Sequence, residues 1–328
     1  MSAAVQPRGV VDSLSAGFAL VARRPGLMAL PLLLEVLYWL APGVSAAPLV
    51  RRVADSLLQP LLATAATPDD AVAFTAQASL ATELGSQVNL LGLLGWLVPT
   101  LLGASADTNL YQRTVVVATW PHLLLVGAAL LAGGVVVGAG YLAPIAQVVR
   151  EGRVDPGVVA RRLRPVALRL GGYLLVVALL LGGLLAALGV ALAVASALGT
   201  AFVGLVLGLG VGGLLLLRLY LLFGEEALVI SDVGPLRAVE ASLRVVARSF
   251  WPVLGLYLVT TTITWGLNLI WAGVLAHPLG LMAAVAGNAF VGTGIVTALM
   301  VYYKDRSPFS PDLARGAAAQ DRLSRPPP

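Results

Sequence analysis

Hydrophobic positions along this chain form blocks longer than a soluble core requires, and charged residues gather between the blocks. Leu27 to Val44 is interrupted only by Glu35, while Thr114 to Val149, Leu170 to Leu217 and Ser249 to Tyr303 carry no charge. Crossing the ~30 Å hydrocarbon core takes about 20 apolar helical residues. The first two blocks therefore predict one span each. The last two predict two spans each, turning near Ser196 to Thr200 and at His277-Pro278-Leu279-Gly280. The expected fold is an all-α polytopic bundle of six transmembrane helices. Leu90 to Leu102 is apolar over only 13 residues, which predicts an interfacial or re-entrant segment inside an outer insertion over about residues 45–113.

A charged elbow from Arg218 to Pro252 separates the last two blocks. Within it Leu236, Val239, Leu243, Val246 and Phe250 recur at helical spacing, while Arg237, Glu240, Arg244 and Arg248 share another face. That pattern predicts an amphipathic helix lying flat on the membrane, with Phe250-Trp251-Pro252 turning the chain into the bilayer. A smaller version starts at Asp12 or Ser13, carries Leu14, Phe18 and Val21, and ends at Arg23-Arg24-Pro25. Val-Ala-Arg recurs at Val21 to Arg23, Val159 to Arg161 and Val246 to Arg248, each time shortly before a proline. Three units, each a surface helix followed by a transmembrane hairpin, would explain the recurrence. So would convergence of interfacial elbows on arginine and proline.

Composition agrees with a lipid environment: 59% of residues are hydrophobic, 11% are charged, and the mean hydropathy is +0.91. The net charge of +5 could suggest nucleic acid, but the arginines flank apolar spans and so set topology instead. With six spans, Arg51, Arg52 and Arg113 face outward and the other basic residues inward, so both termini are cytoplasmic. The predominance of arginine over lysine suggests a GC-rich bacterium and its plasma membrane. Val44-Ser45-Ala46 resembles a signal cleavage site, yet Glu35 and the long preceding region are wrong for a signal peptide. Residues 1–312 read as a single integral membrane domain, and 313–328 as a disordered cytoplasmic tail. There is no cysteine.

Candidate chemistry is sparse. His122 and His277 are the only histidines; an outer metal site with Asp107 or Glu83 can be drawn, but two interfacial imidazoles are the simpler explanation. No catalytic, cofactor or metal residue is assigned. Ionisable side chains within spans normally find partners, and Glu35 and Arg218 fall at similar depths, which predicts an ion pair. Tyr257, Thr261, Thr264 and Asn268 share one face of span five and are expected to meet the bundle interior near Asn288 and Thr293. Gly134 with Gly138, Gly182, Gly183 and Gly189, and Gly204, Gly208 and Gly212 are expected to let helices approach closely.

Arg218-Leu219-Tyr220, Glu225-Glu226-Ala227, Ala241-Ser242, Arg248-Ser249-Phe250-Trp251 and Tyr302-Tyr303-Lys304-Asp305-Arg306 together resemble bacterial multi-pass proteins of the glycerophosphoryl diester phosphodiesterase membrane-domain group. The likeness covers roughly residues 10–312 and implies a six-span architecture. The lysine between the tyrosines and Asp305 departs from the group's Tyr-Tyr-Asp-x-Arg pattern. With two histidines and no appended hydrolase domain, diester hydrolysis is not expected. The remaining expectation is a non-enzymatic membrane component that organises lipids or other membrane proteins; the alternative is a permease for a small or amphiphilic solute. The bilayer is the one partner the composition requires.

Overall fold

The computed structural model describes residues 7–64, 72, 75, 76, 79, 82, 83, 85, 88–101, 113–274 and 278–307. Asp107, His277 and the tail lie outside the described residues. Described helices are α1 (Val10–Arg23), α2 (Ala29–Leu40), α3 (Ala47–Thr64), α4 (Trp120–Glu151), α5 (Pro156–Leu198), α6 (Thr200–Tyr220), α7 (Gly224–Ile230), α8 (Pro235–Arg248), α9 (Phe250–Val274) and α10 (Pro278–Arg306). Five of the stretches they form are long and apolar enough to cross a membrane: Trp120–Glu151, Pro156–Ser196, Phe202–Ile230, Phe250–Val274 and Leu279–Arg306. The chain divides into two compact units, Met1–Arg24 with Leu142–Leu269 and Gly294–Pro328, and Pro25–Tyr141 with Ile270–Thr293.

In the first unit, α5 begins earlier than the apolar block. Pro156 occupies its first turn and the Asp155 carboxylate caps it by accepting from Gly157 and Val158 N–H. Its 43 residues extend roughly 65 Å, about twice the ~30 Å hydrocarbon thickness of a bilayer. Gly199, at φ 116°, separates α5 from α6 within the expected turn; only glycine adopts that angle without strain. α5 and α6 meet where a Cβ on Gly210 would lie 2.6 Å from Leu188. Gly182, Gly183, Gly189, Gly204, Gly208 and Gly212 have nothing within 4 Å of such a Cβ, so these glycines do not form the contacts expected of them. Gly204, Gly208 and Gly212 share a face by their spacing, but it is Gly210 that meets the neighbouring helix.

The short helix α1 lies against α10 in the same unit. A Cβ on Gly17 would come 2.6 Å from the Gly294 carbonyl and the Ala298 nitrogen, and Gly294 in turn faces the Phe18 ring. The first and third Val-Ala-Arg triplets end the 14-residue helices α1 and α8. The second lies inside continuous α5, where Pro165 causes no break, so that copy has no separate surface helix.

In the second unit, the expected first span is shorter than Leu27–Val44. A 3-10 turn over Pro25–Met28 leads into α2, and the helix ends at Leu40 before Pro42 and Gly43. Strand β1 (Gly43–Ser45) then pairs in parallel with β2 (Thr114–Val116), Gly43 opposite Thr114. Residues 114–119 therefore stand outside the helix that the apolar block predicted. The Asn89 side chain accepts N–H bonds from Val44 (2.9 Å) and Leu91 (3.1 Å), tying β1 to a 3-10 turn over Leu90–Leu94. Gly133, Gly134 and Gly138 of α4 face Leu94, Leu93 and Leu97, so the short apolar stretch lies against the middle of α4 with Leu97 and Val98 buried.

Candidate functional site

The elbow is built from four short steps. α6 ends at Tyr220; Leu221 to Phe223 turn the chain; α7 carries Glu225 and Glu226; and Asp232, at φ 57°, redirects it into α8. Gly234 and Pro235 start α8, where proline costs no helical hydrogen bond. The helix does not seat on the face that its large apolar residues define. Ala238, Ala241, Ser242, Val245 and Val246 are buried, whereas Leu236 is 72% and Leu243 41% exposed. Small residues allow close backbone approach to the protein, leaving an outer surface divided lengthwise. Leu236 and Leu243 form one strip; Arg237, Glu240, Arg244 and Arg248 form the other. Trp251, 77% exposed, follows at the start of α9 with its ring edge-on to Phe250 at 5.4 Å.

Beneath α8 lies a buried polar and aromatic knot. The Ser242 hydroxyl donates to the Tyr220 carbonyl (2.6 Å) and accepts from the Phe223 N–H (3.1 Å), closing the gap where the α6 ladder stops. Phe223 stacks on Tyr302 at 5.6 Å and tilts against Tyr303 at 6.1 Å. The hydroxyls of Ser231, Tyr303 and Ser307 form a triangle with sides of 3.0 to 3.1 Å. Arg306 covers the Tyr302 ring and donates to the Arg8 carbonyl, while Lys304 donates to the Val149 carbonyl. Glu226 is buried, and its Oε2 has no hydrogen-bond partner among the described residues.

The polar residues singled out from the sequence occupy other surroundings. Glu35 is buried in α2 and accepts the backbone N–H of Leu101, so the end of the 88–101 stretch supplies its donor. Arg218 is exposed on α6 and forms no ion pair among the described residues, which replaces the expected Glu35–Arg218 pair with two separate environments. On α9 the buried positions are Val253, Leu256 and Thr260, about one residue round from the expected stripe. Tyr257 and Thr261 are half-buried at its edge; Thr264 and Asn268 are exposed. Thr264 donates to the Thr260 carbonyl, so helix backbone meets the need of a hydroxyl expected to reach a neighbouring helix; Thr260, outside that stripe, donates likewise to the Leu256 carbonyl. Asn288 is half-buried on α10, and nearby Thr293 accepts from Tyr141 at 3.2 Å. His122 bonds Thr119 at 2.6 Å, and among the described residues no three metal-ligating side chains cluster.

No family model, curated protein or solved structure matches this chain. What the chain does must then be argued from its own geometry. The knot was missed because serine and tyrosine within apolar runs give no periodic signal. One clue was legible: Ala238, Ala241, Ser242 and Val245 repeat at offsets 0, 3, 4 and 7, a stripe of small residues that is as helical as the leucine stripe beside it. Ser242, Glu226, Tyr302 and Tyr303, all within the motifs that carried the family resemblance, are buried here. Their burial gives that pattern a packing role.

Proposed function

We propose that this chain is a six-span protein of a bacterial plasma membrane, with both termini cytoplasmic, which organises lipids or other membrane proteins at the inner surface and performs no catalysis. The observation that carries the reading is the divided outer surface of α8, apolar along Leu236 and Leu243 and charged along Arg237, Arg244 and Arg248. A helix at a lipid–water boundary needs both strips side by side. Membership of the phosphodiesterase membrane-domain group belongs to the same proposal.

A sixth crossing by Pro25–Leu40 has its own support. Arg24 donates to the Gly152 carbonyl, just beyond the last turn of α4, whereas β1 pairs with β2 just before the first turn of α4. Pro25–Leu40, between these two anchor points in the sequence, is apolar along its length, though shorter than the five candidate spans. The stretch 88–101, packed against the middle of α4, is then re-entrant. Non-helical backbone is tolerated at such depth only when protein covers it. The permease alternative is less favoured, because Thr264 and Asn268 lie on the exposed side of α9.

The test uses a variant that retains Trp251 as its only tryptophan, reconstituted in vesicles with bromine placed either shallow or deep on the acyl chains. Shallow bromine should quench its fluorescence more strongly. Absence of quenching by either lipid would remove α8 and Trp251 from the membrane surface and reject the proposal.

A further inference from the structure

Beside the elbow, three arginines share one carboxylate. Arg150, at the end of α4, and Arg162, on α5, each lie 3.9 Å from Asp232, and Arg169, further along α5, is hydrogen-bonded to it. Two positive charges are left without a counter-charge inside the cluster. Glu151 accepts from Gln147 and Asp155 caps α5, and among the described residues neither forms an ion pair with the three arginines; Arg150 also donates to the Ile230 carbonyl at 3.4 Å. All three guanidiniums remain partly exposed, and the buried Nε of Arg150 has no partner among the described residues. Donor capacity and charge are both in surplus, in the planar side chain best suited to phosphate oxygens.

The surroundings select a particular anion. About 100° round α5 from Arg162 and Arg169, Leu168, Leu175 and Leu179 are exposed at offsets 0, 7 and 11, a strip of roughly 17 Å. It begins at the level of Arg169, beside the cluster, and runs into the apolar part of the same helix. Guanidiniums beside the start of an apolar strip match an amphiphile with an anionic head, and a soluble anion would make no use of the strip.

We propose that Arg150, Arg162 and Arg169 bind the phosphate of an anionic phospholipid, whose acyl chain lies along Leu168, Leu175 and Leu179. This inference rests on the surface-organising reading and names its lipid class. A phosphodiester supplies one negative charge and several acceptors for the surplus donors. A zwitterionic headgroup would bring its own cation against the cluster and bind less well. Asp232, held among the arginines, competes with the lipid for them.

The test titrates the full-length protein in neutral detergent with phosphatidylglycerol, phosphatidylcholine or inorganic phosphate, reading bound lipid by native mass spectrometry and stabilisation by thermal unfolding. Phosphatidylglycerol should be retained preferentially, and more weakly as salt rises. Arg162→Gln with Arg169→Gln should weaken it roughly 25-fold, about fivefold for each charge removed near the surface. Asp232→Asn, which tolerates the left-handed backbone, should strengthen it several-fold; this variant and the single Arg162→Gln decide the matter if the double variant fails to fold. Equal retention of both lipids, weaker binding by Asp232→Asn, or competition by inorganic phosphate at lipid-like concentrations would overturn the site. If the Trp251 quenching persists while the lipid preference is absent, only the phosphate site fails; if the quenching is absent too, the surface reading fails with it.

Discussion

Ser242 satisfies two backbone groups at once, the Tyr220 carbonyl and the Phe223 N–H, at a point where α6 can no longer do so. Ser242→Ala leaves both without a partner in a buried site, which should cost about 1–3 kcal/mol. A lowered midpoint of thermal or denaturant unfolding in detergent would register this loss; an unchanged midpoint would mean that water reaches the turn. Glu35 offers a contrasting case. Glu35→Gln keeps an oxygen that can accept the Leu101 N–H, whereas Glu35→Leu does not, so the glutamine variant should unfold near wild type and the leucine variant clearly earlier. Equal losses in both would mean that the negative charge itself holds the segment. Neither role was legible in the sequence. A lone serine or glutamate in an apolar run reveals that a partner is needed, but the partner is a backbone group contributed by a distant segment.

Helix–helix approach depends on which glycines face a neighbour. Backbone atoms of α10 lie 2.6 Å from a Cβ built on Gly17, so Gly17→Ala must push α1 away and should destabilise by about 1–3 kcal/mol. Gly208→Ala on α6 meets nothing within 4 Å and should be neutral or slightly stabilising through helix propensity. Unfolding both variants side by side checks the contrast, and equal destabilisation would contradict it. The same reasoning explains what the sequence revealed of α8 and α9. Periodicity located α8 well, from Pro235 to Arg248, but not its orientation, because a large apolar face and a face of small residues are both periodic. In lipid the large side chains lose nothing by facing outward, and small ones let backbones meet. The stripe on α9 was misjudged for a related reason: the Thr264 hydroxyl donates to its own helix backbone and needs no interior partner.

Across the molecule, apolar block length located most of the membrane helices. The turn at Gly199 and the gap between α9 and α10 fell where charge-free runs exceeded one bilayer thickness. Length did not locate the ends of helices. Pro42 and Gly43 stopped α2 early, Asp155 and Pro156 started α5 early, and the β1–β2 pairing took up residues that hydropathy alone assigned to spans. Orientation rests on where arginine collects, and the absence of cysteine makes it directly measurable. Single cysteines at Ala247, exposed on α8, and at Ala276, between α9 and α10, should react differently with an impermeant maleimide added to intact cells. The account predicts labelling of Ala276→Cys from outside, and labelling of Ala247→Cys only after the cells are opened. Reaction of Ala247→Cys in intact cells, or failure of Ala276→Cys to react there, would contradict it.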